Sequence, residues 1–125
     1  MSAKFDINLR EGQVAENLVR DLLGGKLGTI EVKRDFRADR TGNVSVEYMS
    51  RGKLSGIAAT EADWWATVLD GGVIVLMPTA RMKEITREWG KDRRRRVSGG
   101  DDQTSRLVRV PAAALVGGPD WLTSE

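Results

Sequence analysis

Thr29-Ile-Glu-Val-Lys-Arg-Asp35 and, shortly after it, Thr41-Gly-Asn-Val-Ser-Val-Glu47 decide how this chain is read. Both segments are rich in β-branched residues and are joined by a polar stretch closing on Thr-Gly-Asn, a turn signal. They predict two strands paired as a hairpin. Alternation along a strand sends residues i and i+2 to one face. Ile30 and Val32 then form the apolar face of the first strand, with Val44, Val46 and Tyr48 matching it from the second. Glu31, Lys33 and Asp35 share the opposite face, joined by Glu47. Strands disfavour Glu, Asp and Lys, so four of them on one face is more than a solvated surface requires. Carboxylates with a lysine on one side of a sheet suit a magnesium site that hydrolyses a phosphodiester.

Around this centre the chain reads as one domain of 125 residues, with a single modest core. A helix is expected over 11–23, where Val14, Ala15, Leu18, Val19, Leu22 and Leu23 recur at helical spacing before Gly24-Gly25. Glu16 falls at the border of that apolar stripe. After a Gly- and Ser-containing loop, Thr60 is expected to cap a second helix, with Asp63 in the capping box and Ala62, Trp65, Ala66 and Leu69 as its apolar face. Val73 to Met77 is a continuous apolar run, the pattern of a buried central strand. Thr79 to Trp89 reads as a third helix through Met82, Ile85 and Trp89. Residues 90–104 read as a mobile basic loop, 106–110 as an edge strand and 111–115 as a short turn or helix. The order predicts an α/β fold with a mixed sheet flanked by helices.

Composition narrows the chemistry. The chain has no cysteine and no histidine. Thiolate catalysis, histidine triads and Cys/His metal sites are therefore excluded, and acid–base work falls to carboxylates, lysine, tyrosine or metal-bound water. The longest apolar run is far too short to span a bilayer, and the start of the chain lacks a signal-peptide pattern, so a cytoplasmic protein with no membrane partner is expected. Net charge is only +2, but it is patterned. Arg93-Arg94-Arg95-Arg96 suits phosphate contacts blind to sequence, and Arg37, Arg40, Arg51 and Lys53 flank the acidic strands and could follow a nucleic-acid backbone. Trp64 and Trp65 read as structural, one of them filling the core.

Glu31-Val-Lys33, preceded by a helix carrying Glu16, resembles the PD-(D/E)XK nuclease superfamily. The wider pattern, Gly12-x-x-x-Glu16, Glu-Val-Lys-Arg-Asp35, Thr-Gly-Asn43, Glu47, Ser-Gly-Ile57 and Ala62-Asp-Trp-Trp65, is similar to small phage-type, Holliday-junction-resolvase-like members over residues 8–90. The resemblance implies a restriction-endonuclease-like core, DNA as partner, Mg²⁺ as cofactor with Mn²⁺ as a substitute, and a homodimer. It implies catalytic roles for Glu16, Glu31, Lys33 and Glu47, and metal ligation by Glu31, Glu47, Asp35 and Glu16. The superfamily's usual aspartate upstream of acid–x–lysine has no clear counterpart, because Asp21 belongs to the first helix. Either Asp35 or Glu47 supplies the second carboxylate beside Glu31, or Glu31 takes the aspartate's place and Glu47 that of the second acid. The same departure motivates the alternative, a nuclease-fold protein that binds DNA or a host protein without cutting.

Overall fold

The computed structural model describes residues 13–14, 16–35 and 38–117. Its class is α/β, with one mixed and one antiparallel sheet. The opening helix α1 is helical over 13–14 and 16–23. It ends where the chain turns left-handed at Gly25, φ 71°. There Lys26 N–H donates to Asp21 C=O at 2.8 Å and Gly25 N–H to Leu22 C=O at 3.1 Å. These two bonds make a Schellman cap, which requires a residue tolerant of positive φ.

Strand β1 (Ile30–Arg34) is followed by a short helix α2 (Ala38–Thr41), then β2 (Asn43–Ser50) and β3 (Lys53–Leu54). Next come β4 (Trp64–Val68), β5 (Ile74–Pro78), helix α3 (Thr79–Trp89), β6 (Arg96–Gly99), β7 (Ser105–Pro111) and α4 (Ala113–Val116). One sheet has the order β1-β4-β5, the other β3-β2-β7-β6. Helix α3 packs on β7, β5 and β4 and joins the two sheets. It contributes Met82 and Ile85, which are 0% and 1% exposed, to a core completed by Val44, Val46, Trp65 and Val110.

Several expectations are corrected by this topology. The two acidic strands form no hairpin: β1 pairs in parallel with β4, while β2 pairs with β7 and β3. The expected helix after Thr60 is strand β4. Its spacing of Ala62, Trp65, Ala66 and Leu69 fits a helix, but Trp64, Trp65, Thr67 and Val68 are aromatic or β-branched and prefer a pleated surface. Thr60 makes a local turn instead, its hydroxyl accepting from Ala62 N–H at 3.2 Å. The apolar run 73–77 falls largely in β5, an edge rather than a centre. The basic loop 90–104 contains β6, and the expected edge strand at 106–110 is β7, which lies between β2 and β6. Helix α3 and the short α4 lie where the spacing places them.

The largest correction concerns which side of β1 faces inward. Register pairs Glu31 with Trp65 and Lys33 with Thr67; across the next strand Trp65 meets Met77 and Thr67 meets Val75. Residues directly opposite share a face. Glu31 and Lys33 therefore lie on the core-bearing side, at the rim of an edge strand where their charges still reach water. Ile30, Val32 and Ile74 lie on the other, open side, 39%, 60% and 62% exposed. Among the described residues no helix is long and apolar enough to cross a membrane.

Candidate functional site

Strand β1 delivers three of the expected site residues. Lys33 Nζ stands 3.7 Å from Glu31 Oε1, with about half of each side chain in water. Asp35, just beyond the strand, is fastened at both ends. Its N–H donates to Val68 C=O at 3.1 Å, and its Oδ2 accepts from Ser45 N–H of β2 at 2.9 Å. Asp35 thus ties the mixed sheet to the antiparallel one. Lys33 and Asp35 line a small cleft of about 100 Å³ together with Ser45, Thr67 and Trp65. In it the Thr67 hydroxyl is buried without a hydrogen-bond partner.

Glu47 sits on β2, half-buried, and its Oε2 accepts from the Ser55 hydroxyl at 3.0 Å. The following Gly56, φ 50°, presses so close that a Cβ there would run into the Glu47 carbonyl. The Ser55-Gly56 turn therefore serves to hold Glu47. Glu16 projects from α1, exposed beside Val19, Arg20 and Leu23. Glu16, Glu31, Asp35 and Glu47 do not converge: among the described residues no three acidic side chains form a group able to share a metal ion. Asp63, which anchors a loop, accepts from both the N–H and the hydroxyl of Thr29, at 3.1 and 3.3 Å, where β1 and β4 begin side by side.

The cations are distributed over the surface. Arg37 lies outside the described residues. Arg40, Arg51 and Lys53 are exposed, the last two at the β2–β3 turn. The arginine run is only partly free. Arg94 grips Asp92 through Nε at 3.1 Å and Nη2 at 3.0 Å. That hydrogen-bonded pair holds the Asp92 carboxyl below its ordinary range and raises the Arg94 guanidinium. Arg95 stacks over Trp89 at 4.8 Å and donates to Arg109 C=O at 3.0 Å. Arg96 donates to Gly90 C=O at 2.5 Å. Arg93 is exposed.

Trp65 fills the core at 3% exposure, the place the sequence predicts for one of the two tryptophans. Thr67 is not singled out by the sequence. A threonine in a strand is ordinary, and only the fold shows its hydroxyl buried and unmatched. Comparison with known protein families, with characterised proteins and with solved structures finds no match to this chain.

Proposed function

We propose that this chain is a metal-dependent endonuclease that hydrolyses DNA phosphodiesters, with its reacting centre on β1. The observation that carries the reading is the acid–x–lysine pair. Glu31 and Lys33 share one face at ion-pairing distance, and the same lysine lines a small cleft with Asp35. The donors suit Mg²⁺ in kind, being carboxylate oxygens, and Mg²⁺ needs only one or two of them beside water and phosphate oxygens. Glu31 is the ligand on β1, and Asp35, just beyond that strand, and Glu47 on β2 are the alternatives for a second. When bound, the metal would activate a water and neutralise charge on the scissile phosphate. Lys33 places an ammonium beside that phosphate, where negative charge grows in the transition state. Ser45 N–H holds the Asp35 carboxylate in orientation.

A second reading is favoured by one observation, the lack of a three-acid group among the described residues. In it the chain binds DNA or a host protein on the same scaffold and does not cut. Nicking of supercoiled and branched DNA separates the two. Cleavage with Mg²⁺ or Mn²⁺, silenced by EDTA and lost in both Glu31→Gln and Lys33→Ala, supports the nuclease. Retained binding with no cutting by the unaltered protein on any substrate establishes the binding reading in its place.

The reading includes a homodimer acting in the cytoplasm. Support for pairing comes from two apolar surfaces left open on one chain. One is the α1 stripe of Val14, Leu18, Val19 and Leu23; the other is the outer face of the mixed sheet at Val32 and Ile74. Such surfaces mark association sites.

A further inference from the structure

A cavity of about 450 Å³ lies between α3 and the antiparallel sheet, away from the β1 cleft in its lining. Its size falls within the roughly 300–1,000 Å³ of small-molecule sites. Ile57, Ala58 and Val108 give it an apolar floor, and Lys83, Arg87 and Arg96 set three cations around it. Among the described residues no carboxylate lines it. The acids of α3 are committed elsewhere, Glu84 to Arg81 at 3.4 Å and Glu88 to Lys91 at 2.9 Å. Lys83 and Arg87 have no ion-pair or hydrogen-bond partner among the described residues. Arg96 is steadied by its bond to Gly90 C=O, which leaves its outer nitrogens available.

Three cations on one concave surface repel each other unless an anion joins them. The helix C-terminus accounts for Arg87 and Arg96, which complement its dipole, but not for Lys83, which stands before the last turn of the helix. Tyr48 completes the wall. It is the extra residue where the β2–β7 register slips between Glu47 and Met49. A bulge re-aims the side chain it carries, and here that side chain is the aromatic one facing the cavity.

We propose that this cavity seats one nucleotide unit, its phosphate among Lys83, Arg87 and Arg96 and its base or sugar on Tyr48, Ile57 and Ala58. Cations at the rim with an apolar and aromatic floor fit that divided chemistry better than they fit a bare inorganic anion. The unit can come from a nucleic-acid strand or from a free nucleotide. The proposal shares the nucleic-acid class of the reading above but does not depend on cleavage.

The test is fluorescence anisotropy of a labelled single-stranded DNA oligonucleotide in EDTA across a salt series, with dAMP as competitor. Lys83→Gln/Arg87→Gln is expected to weaken binding about tenfold or more and to lower the log K against log salt slope by roughly 0.7, the share of the one phosphate no longer neutralised. Tyr48→Leu is expected to weaken binding with the slope unchanged. Competition by dAMP assigns the site to free nucleotides, and lack of competition with the variant effect intact assigns it to a strand. The control Arg20→Gln/Lys26→Gln removes equal charge from α1 and its following turn and should bind as the unaltered protein does. Unchanged affinity in the Lys83/Arg87 variant, an equal loss in the control, or no binding by the unaltered protein to either probe overturns the proposal. Glu31→Gln should bind normally while failing to cut, so failure of the nuclease reading is seen separately. Matching circular dichroism melts confirm that each variant is folded.

Discussion

Thr67 carries a contradiction at the scale of one residue. It is 3% exposed, and its hydroxyl finds no hydrogen-bond partner in a cleft shared with Lys33 and Asp35. An unmatched buried hydroxyl costs about 1–3 kcal/mol. Thr67→Val, nearly the same shape, should therefore raise stability by about 1 kcal/mol in urea unfolding. If the hydroxyl meets a phosphate or water during reaction, the same variant should nick DNA more slowly although it is more stable, a trade expected at functional sites. Glu31 and Lys33 should behave in the opposite way. Their pair is open to water and worth about 0–1 kcal/mol, so Glu31→Gln should lose cleavage while its urea midpoint hardly moves. The acid–x–lysine spacing is legible from the sequence because it is local. The role of Thr67 is not, because burial of its hydroxyl depends on β5 and α3 arriving from later in the chain.

Among the elements, α3 supplies two of the largest fully buried side chains, Met82 and Ile85. Met82, Ile85 and Thr86 recur on one face and are buried, and Thr86 returns its hydroxyl to Met82 C=O at 2.8 Å. Ile85→Ala should cost about 2–5 kcal/mol, a large part of the roughly 5–15 kcal/mol available to a domain; a urea melt of the variant measures it. Leu18→Ala on α1, where Leu18 is 40% exposed, should shift the midpoint of an isolated chain by less than about 0.5 kcal/mol. Helix α3 is readable because a 3.6-residue period survives over eleven residues. Strand β4 reads wrongly as a helix because five residues carry too few periods to separate the two, and its aromatic and β-branched content is the better guide.

For the whole molecule, the open apolar faces set the main expectation. Val32 and Ile74 lie on the outer side of the mixed sheet at 60% and 62% exposure, and α1 offers a second apolar stripe. Val32→Lys/Ile74→Lys should convert the proposed dimer to a monomer in size-exclusion chromatography with light scattering, with the far-ultraviolet spectrum unchanged. An unaltered protein that runs as a monomer at every concentration would refute the dimer. By itself the sequence determined the α/β class, helix α3, the glycine stop of α1 and the exclusion of cysteine and histidine chemistry, since each follows from composition or from interactions within a few residues. Only the tertiary structure decided that β1 lies beside β4, that its charged side turns toward the core and its valine toward water, and that the described acids form no group of three. Those outcomes rest on strand pairing between distant segments, where choosing a different neighbour reverses which face is buried.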